Sequence, residues 1–190
     1  MRRTLTDGDF GTEFWQQLAT YQHTAWRWEN QAVYEITAEQ ASVDAFLAGH
    51  PSDPMEDPYL APWMRQVAEQ TAAGKVIGRV RVLEEPPTDY QRWERWLDTW
   101  NTAAGEHIEY LTRTQARQLA EHSPFGKADW WLFDNARVMI MNFDANGRRI
   151  QVELTDEPED VAAAIEFQRC AATATTGSKA AGEDSAHAAR

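Results

Sequence analysis

The stretch Val76-Ile77-Gly78-Arg79-Val80-Arg81-Val82-Leu83 is rich in β-branched residues and alternates along its length, which predicts a strand. The acidic and proline-containing residues that follow, 84–89, predict a loop. Residues 88–102 then carry aromatic and leucine side chains at helical spacing, with Thr88 or Asp89 available as the N-cap. A strand that leads through a short loop into an amphipathic helix is typical of a layered α/β structure.

The chain after this unit predicts more strands and two more helices. We expect strands over residues 106–111, 129–134, 137–143 and 149–154, a short helix over 114–119, and a final helix that ends near residue 171. The Asn146-Gly147 pair favours a positive-φ turn before the last strand. Residues 75–171 therefore predict an α/β or α+β core with a mixed sheet, and the Ala-, Thr-, Gly- and Ser-rich residues 172–190 predict a disordered tail.

The chain before this unit, residues 1–74, predicts an N-terminal lobe of helices and short strands that packs on the sheet. We expect helices over residues 9–23, 38–48 and 59–73, and strands over 24–29 and 32–36. In the strand 24–29, Trp26 and Trp28 share one face, while Arg27 and Glu29 share the other.

Composition and charge exclude several classes of function. Eighteen basic against thirty acidic residues give a net charge of −12, which disfavours direct binding to nucleic acid. No apolar run is long enough to span a membrane, and the N-terminus lacks the apolar stretch of a secretory signal, so we expect a cytoplasmic protein. The single cysteine, Cys170, lies in an apolar helical stretch, where a buried side chain is expected.

The sequence contains no recognisable catalytic, cofactor-binding or metal-binding motif. The five histidines are scattered, which gives no metal-ligand spacing, and no phosphate-binding glycine loop or Gly-x-Ser-x-Gly motif is present. The order of elements after residue 75 is remotely similar to one half of the phospholipase-D-like fold. That class uses a His-x-Lys nucleophile motif, whereas His107 is followed by Ile108-Glu109, so a noncatalytic version is expected.

The charged and tryptophan side chains allow two interpretations. The first is ion pairing at strand edges and on helix faces. In the second, Arg27, Arg79 and Arg81 line a cleft beside Trp93 and Trp131 that takes an anionic or aromatic guest. The candidate residues for binding a ligand or partner are Arg27, Glu29, Arg79, Arg81, Tyr90, Arg92, Trp93, Glu94, Glu106, Trp131 and Asp134.

The helix over 88–102 carries a stripe formed by Trp93, Trp96 and Trp100. Core packing and an exposed partner-binding face both explain a stripe of this kind. Three indoles exceed what one helix face normally needs for packing, which keeps the partner-binding interpretation open.

An ordered series of short motifs extends over about residues 10–170. It consists of Phe14-Trp15, Thr24-Ala25-Trp26-Arg27-Trp28-Glu29, Arg79-Val80-Arg81-Val82, Thr88-Asp89-Tyr90-Gln91-Arg92-Trp93-Glu94, Ala104-Gly105-Glu106 and Asp129-Trp130-Trp131-Leu132-Phe133-Asp134. The series resembles an actinobacterial family of unknown function whose genes often lie near helix-turn-helix regulators and small acidic partner proteins. The resemblance implies no specific activity.

This sequence differs from the family pattern at four tryptophans: Trp26, Trp28, Trp93 and Trp130. The family more often has other aromatic or aliphatic residues there, and this difference allows a specialised role, such as one in a biosynthetic cluster.

Two hypotheses follow for the function. The leading one is a noncatalytic cytoplasmic accessory or regulatory protein that binds a protein partner, such as a helix-turn-helix regulator, through its acidic and aromatic surface. The alternative is a small-molecule-binding protein, or an enzyme of a biosynthetic cluster, that uses the Arg and Trp cleft. In that case Glu29, Glu94 or Glu106 would act as the acid or base.

Overall fold

The computed structural model describes residues 1–187, and the side chains up to residue 175 apart from that of residue 7. The strands are β1 (Arg3–Leu5), β2 (Thr24–Glu29), β3 (Val76–Leu83), β4 (His107–Thr112), β5 (Asp129–Phe133), β6 (Arg137–Phe143) and β7 (Arg149–Thr155). The helices are α1 (Asp7–Thr20), α2 (Gln40–Leu47), α3 (Leu60–Ala72), α4 (Asp89–Ala103), α5 (Arg113–Glu121) and α6 (Pro158–His187).

The strands form one mixed sheet in the order β1-β7-β6-β5-β2-β3-β4. The strands β2, β3 and β4 are parallel and are connected through helices, whereas β5, β6, β7 and β1 continue the sheet in antiparallel pairs. The predicted α/β class with a mixed sheet is confirmed. The remote likeness to a half of the phospholipase-D-like fold stays a prediction.

Helices cover both faces of the sheet. On one face, Trp28, Trp130 and two valines of β3, Val80 and Val82, pack against Ala116 of α5 and Phe167 of α6. On the other face, Ile77 and Trp131 pack against Leu18 of α1 and Val67 of α3, and α4 lies on the same side. Because both faces are covered, side chains on either side of β2 and β3 are removed from water.

The helix α4 begins as its sequence predicts. The Thr88 hydroxyl accepts a hydrogen bond from the backbone N–H of Gln91 at 3.1 Å, and the Gln91 side chain accepts one from the backbone N–H of Thr88 at 3.3 Å. This capping box fixes where the helix starts, and so it fixes which side chains of α4 point at the sheet.

Four details differ from the sequence-based expectations. The strand predicted over 32–36 is an irregular loop, because Tyr34 turns inward to a carboxylate instead of joining a ladder. The strand β1 was not predicted, since three residues carry too little pattern. The helix α6 continues past the expected end near residue 171, and Cys170 lies exposed on it rather than buried.

The predicted disordered tail therefore begins inside α6. At that point Thr175 is buried and donates a hydrogen bond to Glu109 of β4. Residues 188–190 of the predicted tail lie outside the described residues.

The predicted boundary near residue 74 falls between α3 and β3. Since β2 lies between β3 and β5, the segments on both sides of this boundary contribute strands to the same sheet. None of the helices within residues 1–187 combines the length and apolar content needed to cross a membrane.

Candidate functional site

The candidate site is a cluster of charged side chains on the face of the sheet that α3 and α4 cover. In the parallel ladder, Arg27 of β2 lies opposite Arg79 of β3, and Glu29 lies opposite Arg81. Opposed residues project from the same face of a sheet, so the alternation of the two strands places all four side chains together. The strand β5 adds Asp129 to the cluster.

Glu29 lies at the centre of the cluster. Its carboxylate oxygens lie 2.9 Å from Nη1 of Arg27, 3.2 Å from Nη1 of Arg79 and 2.6 Å from Nη1 of Arg81. Burial opposes the ionisation of this carboxyl group, but the three guanidinium groups outweigh it and lower the pKa of Glu29 to about 2. Glu29 is therefore an ionised carboxylate shared by three arginines.

Arg81 connects the sheet to α4. Its Nε and Nη2 atoms donate two parallel hydrogen bonds of 3.0 Å to Asp98, and its Nη1 atom donates to Glu94. Glu94 and Asp98 are four residues apart, so both project from the same side of the helix. Tyr110 of β4 also donates to Asp98, at 2.7 Å.

The remaining two arginines have different partners. Nε of Arg79 donates to Glu106, in the turn after α4, at 2.6 Å. Nη2 of Arg27 lies 3.6 Å from Asp129, which is beyond hydrogen-bond distance. Asp129 instead accepts hydrogen bonds from the backbone N–H of Asn30 at 2.8 Å and from the hydroxyl of Tyr34.

The carboxyl groups of the cluster outnumber its guanidinium groups. Three arginines, Arg27, Arg79 and Arg81, contact five carboxyl groups, those of Glu29, Glu94, Asp98, Glu106 and Asp129. A buried cluster with this imbalance retains protons, because unpaired charge in the interior is costly.

The pKa values identify the groups that retain these protons. Burial raises the pKa of Glu94 to about 8 against the attraction of Arg81, and raises the pKa of Asp129 to about 6 against that of Arg27. Burial also raises the pKa of Glu106 against the attraction of Arg79. Glu94 therefore carries its proton at neutral pH, while Glu29 does not.

The structure brings together seven of the predicted candidates: Arg27, Glu29, Arg79, Arg81, Glu94, Glu106 and Trp131. Trp131 stacks beside the arginines, with its ring centre 5.4 Å from the guanidinium carbon of Arg27 and 5.9 Å from that of Arg79. Arg79 and Arg81 are buried and hydrogen-bonded to carboxylates, so their guanidinium groups stabilise the contact between sheet and helix.

The other four predicted candidates lie apart from the central cluster. Trp93 is buried, and its indole N–H donates to Ser42 of α2 at 3.1 Å. Tyr90 donates to Glu39, while Arg92 is exposed and pairs with Asp89 at 2.9 Å. These three side chains all belong to α4.

The fourth, Asp134, is a turn residue. Its carboxylate accepts hydrogen bonds from the backbone N–H groups of Gln22, His23 and Thr24 at 2.7 to 2.9 Å. It therefore holds the start of β2 against the end of β5.

Sequence reasoning missed Asp98, Asp129 as an acceptor, and Tyr34. The signal for Asp98 was present, because Glu94 and Asp98 share a side of α4 with Trp93 and Leu97, which are apolar. Two carboxylates on the apolar side of a helix predict a basic group on the surface beneath it. Tyr34 had no such signal, since it reaches Asp129 from an irregular loop.

A comparison with protein families matches residues 12–181 to a domain of unknown function, DUF6879. The chain belongs to the DUF6879 family. The predicted resemblance to a family of unknown function is thus confirmed for nearly the whole chain. No curated protein matches the sequence of this DUF6879 protein.

Proposed function

We propose that this DUF6879 protein is a noncatalytic accessory protein that binds a basic protein partner through an acidic surface formed by residues 40–59. The single observation that carries the proposal is the charge of the chain around this surface. Residues 40–59 contain four acidic residues, Asp44, Asp53, Glu56 and Asp57, and no lysine or arginine.

The acidic surface consists of α2 and the loop that leads from it to α3. Asp44, Asp53 and Glu56 are exposed on it, and each adds negative charge. No basic side chain of this segment competes for them, so the surface attracts a partner of opposite charge.

The acidic surface also exposes large apolar side chains. Leu47 is 45% exposed, Met55 is 37% exposed and Tyr59 is 47% exposed. Exposed apolar and aromatic groups among charges are typical of protein interfaces, where apolar contact supplies affinity and charge supplies orientation.

The tryptophans of α4 extend this surface. Trp96 and Trp100 are half-buried, with ring centres 4.8 Å apart, and Phe46 of α2 lies 5.5 Å from Trp96. Of the three tryptophans in the stripe, Trp93 is buried and packs in the core, whereas the other two are partly exposed. The half-exposed indoles support the partner-binding role.

The partner that we propose is a DNA-binding regulator of the helix-turn-helix type. Proteins that bind the phosphate backbone carry basic surfaces, and such a surface complements the acidic one. We further propose an actinobacterial origin with a regulator gene nearby, and a cytoplasmic location. The excess of fifteen arginines over three lysines, which suggests a GC-rich genome, supports that origin.

The test is a pull-down of the tagged protein from its native cytoplasm, with bound proteins quantified by mass spectrometry. The variants are Leu47→Lys, on the acidic surface, and Ile150→Lys, at a 61% exposed position of β7 outside it. We expect the wild type and Ile150→Lys to retain one basic regulator in stoichiometric amount, and Leu47→Lys to lose it.

Salt supplies the second part of the test. Raising the salt from about 0.05 to 0.3 M shortens the range of electrostatic attraction, so we expect the complex to weaken over this interval. A complex that Leu47→Lys leaves intact, or that is insensitive to salt, contradicts the proposal.

A further inference from the structure

A cleft lies between α1 and the end of the sheet formed by β1, β7 and β6. Its volume is about 340 Å³, within the range of small-molecule sites, roughly 300–1,000 Å³. The buried residues Leu154 and Thr155 of β7 line its base, whereas Arg3, Gln16 and Arg137 are exposed at its rim. A small molecule can therefore enter the cleft directly from solvent.

Arg137 is held at this cleft by a buried amide. Its Nη1 atom donates a 3.0 Å hydrogen bond to the side-chain oxygen of Gln17, which is only 5% exposed. The side-chain nitrogen of Gln17 donates in turn to Glu13, at 2.7 Å. The fold therefore orients this guanidinium group although Arg137 is exposed.

Arg137 is also the unpaired charge of the cleft. The carboxylate of Glu13 pairs with Arg3, and that of Asp156 pairs with the amino group of Met1. Both carboxylates interact electrostatically with Arg137, but neither forms an ion pair with it. Among the residues that the structure describes, none accepts a hydrogen bond from Nε or Nη2 of Arg137. These two atoms form the edge of a guanidinium group that matches the two oxygens of a carboxylate.

The other carboxylates at this end of the sheet are paired elsewhere. Glu153 and Asp160 lie 2.8 and 3.9 Å from Arg2, and Glu157 lies 3.1 Å from the amino group of Met1. Together with Glu13 and Asp156 they surround the cleft with negative charge, which repels a ligand of high negative charge. A ligand with a single negative charge therefore fits the one unpaired guanidinium group better than a dianion does.

Most of the remaining lining is polar. The side-chain amide of Gln16 lines the cleft, and it has no hydrogen-bond partner among the described residues. An amide of this kind offers both a donor and an acceptor to a hydroxyl group. A ligand that carries hydroxyl groups can therefore use this wall, whereas an apolar ligand finds little besides Leu154 to contact.

We propose that this cleft binds a small polyhydroxy carboxylate, and that Arg137 anchors the carboxylate group. The cleft shares no residue with the acidic surface of residues 40–59. The inference therefore does not depend on the proposed protein partner.

The direct experiment is an NMR titration of the full chain with D-gluconate, with D-gluconamide as the uncharged probe of nearly the same shape. We expect saturable shifts of the Arg137 Nε–H signal and of the backbone amides of Arg137 and Gln17. The amide should bind about tenfold more weakly or worse, because it loses the charge-assisted hydrogen bonds. Inorganic phosphate in its doubly charged form is the second anion, and it should bind more weakly than gluconate.

Two variants at Arg137 test the anchoring role. Arg137→Gln removes the charge, and Arg137→Lys keeps the charge but removes the planar fork, so the second variant decides the matter if the first does not fold. Both should bind gluconate about tenfold more weakly or worse than wild type. Arg148→Gln, at an exposed arginine in the turn between β6 and β7, is the matched control and should bind as wild type does.

Four results would overturn this inference. The first is absence of saturable gluconate binding up to about 10 mM, well above a millimolar dissociation constant. The others are equal binding of gluconamide, binding of phosphate as tight as that of gluconate, and unchanged gluconate binding by folded Arg137→Lys.

Discussion

Glu29 and Arg81 occupy opposed positions on two parallel strands, and their Oε2 and Nη1 atoms lie 2.6 Å apart. Strands covered on both faces usually carry apolar side chains at such positions. Here the positions hold a buried ion pair, and α4 supplies two more carboxyl groups to the same arginine. The contact between sheet and helix therefore depends on matched charge as well as on packing, and four predictions follow from it and from the neighbouring turns.

Substitution of Arg81 by methionine should strongly destabilise the protein. The change leaves Glu94 and Asp98 without their shared partner in a buried position. Removing one member of a buried ion pair typically costs about 3–5 kcal/mol, and we expect urea unfolding to report a loss in that range. The control Arg92→Met removes an exposed arginine from the same helix, paired only with the exposed Asp89, and should change the free energy of unfolding by less than about 0.5 kcal/mol.

Neutral substitutions of Glu29 and Glu94 should have opposite outcomes at pH 7. Glu94→Gln replaces a protonated carboxyl group by a neutral amide of the same shape, so we expect a change below about 1 kcal/mol. Glu29→Gln removes the one charge that three arginines share, and a loss of about 3 kcal/mol or more is expected from chemical unfolding. Equal losses from the two variants would contradict the assignment of the proton to Glu94.

The stability of the protein should be greatest at mildly acidic pH. Glu94, with a pKa near 8 in the folded chain against an ordinary 4.5, binds a proton that the unfolded chain has released. Stability therefore falls as the pH rises from about 5 to 8, and Asp129, with a pKa of about 6, acts in the same direction at lower pH.

Below about pH 4.5 the stability changes in the opposite direction, and it falls as the pH is lowered. Glu29 has a pKa of about 2 when folded, so its contribution is lost as the pH falls from about 4.5 to 2. Thermal unfolding midpoints measured from pH 3 to 8 should reach a maximum between about pH 4 and 5. Glu94→Gln should flatten the decline above pH 6, and a wild-type midpoint that rises steadily to pH 8 would refute this explanation.

Asp134→Ala should loosen the start of β2. The variant leaves three backbone N–H groups without their acceptor, and it places alanine at a φ of +51°, which disfavours a residue with a Cβ. We expect a loss of about 2–3 kcal/mol and faster hydrogen exchange at Gln22 and Thr24. Asp134→Asn keeps one acceptor oxygen and tolerates this φ, so its loss should be about half as large.

Much of the fold could be predicted from the sequence because its signals are local. The alternation of β3, the Thr88 cap of α4 and the Asn146-Gly147 turn each act within a few residues, and all three are present in the structure. The strand β1 depends on a distant partner, β7, and its three residues show no pattern of their own.

The candidate site was predicted less completely. The alternation of β2 and β3 placed the arginines on common faces, but it gave no information on how the strands align. The opposition of Glu29 to Arg81 depends on that alignment. The position of Tyr34 also depends on a contact between distant parts of the chain. Its loop is held in place by a 2.9 Å hydrogen bond from the backbone N–H of Glu35 to the carbonyl oxygen of Gly147.

The pairing of β1 with β7 affects the order in which the protein can be completed during synthesis. Residues 3–5 leave the ribosome roughly 150 positions before residues 152–154, with which they pair. The parallel strands and their helices can assemble in the meantime, whereas the opposite edge of the sheet, formed by β7 and β1, can form only after the last hairpin has been synthesised. Nascent chains stalled before β7 is synthesised should therefore expose Leu5 and the unpaired edge of β6 to chaperones and proteases. Chains stalled well after β7 should not.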